Sequence, residues 1–268
     1  MLGAMLMENP PPFGDLLRSW RQRRRLSQLD LALEAEISAR HLSFVETGRA
    51  RPSREMVLRL AEHLDLPLRA RNALLTAAGF AATFPERPLD SPELSAARAA
   101  VAQVLRAHAP FPALAVDRHW TLLAANEAVA PLLQGVSPAL LAPPVNVLRL
   151  SLHPEGMAPR IENLGEWRGH ILDRLRHQLA ATGDASLANL LAELRALPGG
   201  GEEPAGDELA GIAVPLRLRD GQGRVLSFLS TTTVFGTARD VTLAELVLEC
   251  FYPADEATRA ALSAGAAP

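Results

Sequence analysis

The sequence predicts two domains of different class: an all-α unit of five short helices in the first eighty or so residues, then a larger α+β domain with an antiparallel sheet. Three observations carry this. Apolar residues recur at helical spacing, punctuated by serine caps, as far as Gly79. The stretch AATFPERPLDSP, Ala81 to Pro92, holds three prolines and reads as a linker. Beyond it, apolar strand-like runs divided by Asp and Gly turns alternate with further helices. The expected organisation is a disordered tail over 1–13, the helical domain over 14–80, a linker over 81–92 and the α+β domain over 93–268.

The first helix follows Phe13-Gly14-Asp15, with Leu16, Leu17 and Trp20 on one face and the stem of Arg24 extending it. Ser27 is an N-cap for the second, with Asp30 in a capping-box position. Ser38 caps a third, which Gly48 ends, and Pro52-Ser53 starts a fourth with Met56, Val57, Leu60 and Leu64 facing inward. A fifth runs from about Leu68 to Ala78. In the second domain a long helix spans about Pro92 to Ala107. Asp117-Arg118 turns a hairpin between two strands, and Asn126 caps a short helix after it. Helices follow from Ile161 to Ala181 and from Ala185 to Leu197, then a flexible acidic loop, GGGEEPAGDE. Three strands, IAVPLRLRD, RVLSFLSTTTVF and LAELVLECFY, precede a last helix at about Asp255 to Ser263.

The net charge of −3 averages a split. Residues 14–59 hold ten Arg against six acids, +4, whereas 81–268 hold fifteen Arg against twenty-one acids, −6. Such polarity marks an anion-binding module at the N-terminus. No run approaches the roughly 18–20 uncharged apolar residues of a membrane helix, so no membrane role is expected. The opening MLGAMLMENPPP lacks the basic start of a signal peptide. A lone cysteine, Cys250, excludes an internal disulfide framework, and a cytoplasmic location follows as the expectation.

The helices at Ser27 and Ser38 stand a few residues apart, as in a helix-turn-helix, which lays its second helix in the DNA major groove. Ala32 is small where the two cross, and Ile37, Leu42 and Val45 anchor the second in the core. The opposite face then carries Ala39, Arg40, Ser43, Phe44 and Thr47. The segment LSQLDLALEAEISARHLSFVETGRARPS resembles the Xre/Cro-type helix-turn-helix in its Ser-Gln start, Glu-Thr-Gly end and Arg-Pro-Ser loop, a likeness covering residues 14 to about 80. The resemblance implies a phosphate contact from Gln28, base-edge contacts from Arg40, Ser43 and Phe44, and phosphate contacts from Arg49 and Arg51. Arg21 to Arg25 also fit a solvated helix face. Glu46, an acid on a DNA-facing helix, should bond within the domain.

The second domain offers no catalytic constellation, cofactor motif or metal site. His170 and His177 are two helical turns apart, roughly 10 Å along the axis, too far to share an ion. No G-x-S-x-G elbow supports a nucleophile, GGGEEPAG lacks the Lys-Ser/Thr of a P-loop, and Cys250 reads as a buried, inert thiol. The stretch FPALAVDRHWTLLAANEAVAPLL resembles the opening of PAS-like domains. VDRHWTLLAAN, NVLRLSLHPEG, ENLGEWRGHILDRL and FGTARDVTLAELVLECFYPAD together resemble the ligand-binding domain of MmyB-like regulators over about 93–262. That likeness implies a PAS-like fold with a pocket between sheet and helices.

Leu- and Ala-rich helices leave room for a small apolar ligand of fatty-acid type. Asn126, Arg149, His153, Trp167, His170 and Arg174 are the candidate ligand contacts; the last three share one helix face. An arginine fork would orient a carboxylate. The plainer readings stay open: Asn126 as a cap, His153 as a turn residue, Trp167 as core and Arg174 in a surface ion pair. The expected protein is a homodimeric transcription regulator with a double-stranded DNA operator and an apolar effector as partners. Its alternatives are a PAS-like domain that only dimerises, and an enzyme whose DNA binding is autoregulatory.

Overall fold

The computed structural model describes residues 11–199 and 214–264. The start of the tail, nearly all of the acidic loop and Ile212-Ala213 of the first late strand lie outside the described residues. The chain divides into two compact units, residues 1–86 with 239–241 and residues 87–238 with 242–268.

The N-terminal unit is helical: α1 (Phe13–Arg23), α2 (Gln28–Glu34), α3 (Ala39–Glu46), α4 (Arg54–His63) and α5 (Leu68–Ala77). Local chemistry sets these bounds. Ser27, Ser38 and Ser53 each accept the backbone N–H three residues on, of Asp30, His41 and Met56, and Asp30 returns a bond to Ser27 N–H. A left-handed residue follows the end of every one of these helices: Arg25, Glu36, Gly48, Asp65 and Gly79. The buried core is Leu17, Leu31, Leu42, Val45, Val57, Leu60, Leu64, Leu74 and Leu75, with Ala32 at the α2–α3 crossing and Ile37 half-buried against it. Gly14 is required for close approach: a Cβ there would sit 2.2 Å from the Glu46 carbonyl oxygen.

The C-terminal unit begins with a 3-10 turn and α6 (Ser95–Ala107), then the hairpin of β1 (Ala113–Val116) and β2 (Leu122–Ala125). A 3-10 turn over Glu127–Leu133, α7 (Pro138–Leu141) and α8 (Val147–Leu152) lead to the long α9 (Leu164–Thr182) and α10 (Ala185–Ala196). After the loop come β3 (Leu216–Arg219), β4 (Val225–Val234), α11 (Val241–Ala244), β5 (Val247–Pro253) and α12 (Glu256–Ala264). The five strands form one antiparallel sheet in the order β2-β1-β5-β4-β3.

Strand alternation sorts two faces of this sheet. Ala113, Ala115, Leu248 and Cys250 pack against Val101 and Leu105 of α6. The other face joins Val116 and Phe228 to the main core, built with Trp167, Ile171 and Leu175 of α9 and Leu187 and Leu194 of α10. Cys250 is buried, and burial with the neighbouring Glu249 charge pushes its thiol up, which suits an inert role.

Three expectations are corrected. Asn126 holds the N-cap position, yet its side chain caps nothing. Its Oδ1 accepts from Ala113 N–H (3.0 Å), and its Nδ2 donates to the carbonyls of Leu105 (3.1 Å) and Phe111 (2.8 Å), fastening the α6 end to β1. The run expected as strand from Leu243 begins with the helical turn α11, so the strand starts at Val247. The helix expected from Ile161 starts at Leu164, because Ile161 forms a β-bridge with Leu218.

Candidate functional site

In the N-terminal unit α3 presents Arg40 and Thr47 to solvent, with Ser43 and Phe44 half-exposed between them. The Arg40 guanidinium lies 5.4 Å from the Phe44 ring centre, one turn on, so the two side chains form a single cation–π ledge. Thr47 turns its hydroxyl back to the Ser43 carbonyl (2.7 Å), and Ala39 packs toward the core. Arg49 and Arg51 are exposed in the loop that follows.

Behind this face sits an ionic clamp. Glu46 is only 2% exposed. Its carboxylate accepts from Arg21 Nε (2.7 Å), Arg21 Nη2 (3.0 Å) and Gln28 Nε2 (2.7 Å), with Arg18 Nε 3.6 Å away. Burial pushes the Glu46 carboxyl up, but the bonds from Arg21 and Gln28 and the Arg21 and Arg18 charges outweigh it and hold it below the usual carboxylate range. The bond to Glu46 lifts Arg21. The structure thus ties Gln28 to α3; its amide nitrogen faces Glu46 inside the domain.

In the C-terminal unit a cavity of about 110 Å³ lies between the sheet and helices α8 and α9. Its wall is apolar, with Leu114, Leu148, Ile171 and Phe228 among its residues. One region is polar. There Arg174 Nη1 donates to Glu249 Oε2 (3.1 Å), Nη2 donates to Glu249 Oε1, and Nη2 also reaches Thr232 Oγ1 (2.6 Å). Thr232 in turn donates to Glu249 Oε1 (3.0 Å). β4 and β5 bring these two together, since Thr232 and Glu249 are paired residues across the strands. The Arg174 guanidinium stacks 4.5 Å from the Trp120 ring centre, and Trp120 Nε1 donates to Gln178 (2.8 Å). Trp167 Nε1 donates to Ser151 Oγ (3.0 Å) and stacks on His170 with ring centres 5.4 Å apart. Burial and the Arg174 charge push the His170 imidazole down, against smaller upward pulls from Glu249 and Glu166, so it is neutral at neutral pH.

Of the six candidate ligand contacts, Trp167, His170 and Arg174 line the cavity together. Asn126, Arg149 and His153 lie outside its lining. Arg149 forks onto Glu193 of α10 (2.5 and 2.8 Å), and His153 Nδ1 accepts the Glu155 N–H (3.0 Å) within its own turn. Sequence reasoning missed Trp120, Ser151 and Glu249. A sequence signal did exist for Glu249: a lone acid inside the apolar run LVLECFY is a buried charge that needs a partner. Trp120 also adopts a left-handed backbone, φ 67°, unusual for so bulky a residue.

Residues 97–264 match the MmyB-like transcription regulator ligand binding domain. The chain belongs to that family. Residues 12–74 match a helix-turn-helix domain. This MmyB-like chain therefore combines a DNA-binding domain with a ligand-binding domain, the composition of a transcription regulator. Among solved structures, the clp gene regulator ClgR from Corynebacterium glutamicum is 27% identical, covering 38% of this chain and 99% of that one, with a TM-score of 0.23. No curated protein matches the chain. No helix among the described residues is long and apolar enough to cross a membrane.

Proposed function

We propose that this MmyB-like regulator binds a double-stranded operator through α3 and tunes that binding with a small apolar, acyl-chain ligand of fatty-acid type held in its C-terminal domain. The observation that carries the reading is the apolar cavity ending in Trp167, His170 and Arg174, since ligand sites are apolar clefts with a few placed polar groups. On the DNA side, Arg40 reads guanine, Phe44 meets a thymine methyl, Ser43 completes the edge contacts, and Arg49 and Arg51 grip phosphates. The antiparallel five-stranded sheet, with helices inserted between its second and third strands, supports the PAS-like reading.

The cavity also bears on ligand size. Voids of about 150 Å³ hold a benzene-sized molecule, so about 110 Å³ suits roughly four or five heavy atoms unless the helices part. A cavity that the protein's own side chains leave open speaks against a domain that only dimerises over a packed interior. Dimerisation places two α3 helices on half-sites about one DNA turn apart, and the ligand acts by its differential affinity for two dimer arrangements.

Two measurements test this. Arg40→Ala should weaken operator binding by about 1–3 kcal/mol in an anisotropy titration and relax preference at one base pair. Unchanged affinity and preference refute the base-edge role. Native mass spectrometry of the purified protein, followed by denaturing extraction, should release a small molecule. A protein that neither carries one nor takes up added short-chain amphiphiles is not a sensor of this kind.

A further inference from the structure

The five-stranded sheet closes its edges unevenly. At β3 the backbone of Arg217 is engaged on its outer side: its N–H donates to Asn163 Oδ1 (3.1 Å), and its carbonyl accepts the Glu162 N–H (2.8 Å). At β2 the Leu122 N–H donates to the Val145 carbonyl (2.8 Å). β4 differs. It has ten residues, but β3 pairs only with Val225–Phe228, because β3 begins at Leu216 and Val214 and Pro215 before it lie outside any strand. Leu229–Val234 therefore has β5 on one side and no described strand on the other. Ser227 fixes which backbone groups face that open side. Its carbonyl accepts the Ala254 N–H (2.8 Å) and its N–H donates to Thr258 Oγ1 (2.9 Å), both just past the end of β5. Strand alternation then turns the N–H and C=O of Ser230, Thr232 and Val234 away from β5, and no described residue bonds to them there.

Sheets blunt such an edge with lysine, proline, a bulge or a cover. LSTTTV has neither charge nor proline, and the pairing with β5 runs from Phe228 to Val234 without a register shift. Thr231 to Val234 are exposed, Val234 at 54%. A flat, uncharged edge rich in β-branched residues is a template for another strand.

We propose that this half of β4 is the seam of the homodimer, pairing antiparallel with the same segment of a second copy so that the two sheets run on into each other. This rests on the dimeric reading above and names its interface. A second copy fits because the edge is self-complementary. A two-fold axis at Thr232 sets Thr232 against Thr232 of the partner subunit and Ser230 against Val234 of the partner subunit, so each outward N–H meets an outward carbonyl. No like charges meet, and facing threonines are a favourable cross-strand pair. The seam also touches the ligand site: Thr232 Oγ1 accepts from Arg174 Nη2 (2.6 Å), and Arg174 lines the cavity. A ligand that moves Arg174 thus acts on the strand through which the copies pair.

Thr232→Cys in the full chain tests the register. Facing residues of a bonded antiparallel pair stand about 5.5 Å apart at Cα, within the roughly 4.4–6.8 Å that a disulfide spans. Mild oxidation should give a covalent dimer. Val225→Cys, exposed on the part of β4 that β3 pairs, should give none, and the buried Cys250 is common to both. Sedimentation equilibrium is the second readout. Val234→Lys puts a charge on the edge and Ser230→Pro removes an outward N–H. Each should raise the dimer dissociation constant about tenfold, the worth of one or two net hydrogen bonds. A dimeric wild type with both variants unshifted and no Thr232→Cys cross-link overturns the seam and leaves the dimeric reading standing. A wild type that is monomeric at working concentration removes both. Amides of Ser230, Thr232 and Val234 that stay equally protected from hydrogen exchange on dilution to monomer are covered by their own chain, which also overturns the seam. Should Ser230→Pro fail to fold, Val234→Lys and the cross-link decide.

Discussion

Glu46 shows how one side chain serves two ends in this molecule. It lies on α3, the helix proposed to face DNA, where an acid would repel phosphate, yet its charge points inward to Arg21 and Arg18. Breaking a buried pair leaves an uncompensated charge, so Glu46→Gln should cost the N-terminal domain roughly 3–5 kcal/mol in a urea melt. The sign of the pH effect follows from the lowered carboxyl. The folded form releases its proton more readily than the unfolded one, so the stabilisation is present above the ordinary glutamate value, about 4.3. It is lost as the pH falls through the lower folded value. A melting series in acid should therefore show the wild type losing stability there and Glu46→Gln losing less. Gly14 lies against the same residue, and Gly14→Ala should destabilise by roughly 1–3 kcal/mol, because the new methyl meets backbone that cannot move aside. Glu46 was legible as an internal partner from its charge and place. Glu249 was legible only as an acid in need of a partner; which partner was not, since its counter-ion stands 75 residues away along the chain.

Elements with local signals are the ones the sequence located well. Ser27, Ser38 and Ser53 announce α2, α3 and α4 because a cap bonds within three residues of itself. The β1–β2 hairpin was readable from Asp117, which accepts the N–H groups of His119 and Thr121 (2.8 Å each). By contrast α7 has four residues and α8 six, too short to display a period. Asn126 marks the same limit: it stands where a cap belongs and instead binds two distant carbonyls and an N–H. Asn126→Ala should lower the C-terminal domain's stability by about 1–3 kcal/mol, as three partly buried backbone groups lose their partner. Thermal melting followed at the Trp120 and Trp167 signals checks it. Ligand binding by the purified variant below its melting point should persist, since Asn126 lies off the cavity.

For the whole molecule, the division into two units predicts two unfolding events, each with its own response. A bound amphiphile at about a hundred times its dissociation constant should add about 2.7 kcal/mol to the C-terminal event and leave the N-terminal one in place. Scanning calorimetry with and without an added short-chain amphiphile reads this directly. The charge split has a matching consequence, with a net +4 over residues 14–59 and a net −6 over residues 81–268. Operator affinity should fall steeply with added salt, because phosphate contacts release counterions. Sedimentation at working concentration tests the dimer, and a monomer on a single half-site contradicts it.

What the amino-acid order decided alone is what depends on near neighbours: helix ends, hairpin turns, the charge polarity and which residues of α3 stay exposed. Its likeness to known families extended this to the class of regulator. Tertiary structure decided which candidate residues meet. It gathered Trp167, His170 and Arg174 at one cavity, sent Arg149 to Glu193 and closed Arg174 onto Glu249. The physical reason is the range of the interactions. Caps and turns act over a few residues, whereas a buried charge is settled by whatever oppositely charged group the sheet carries to it.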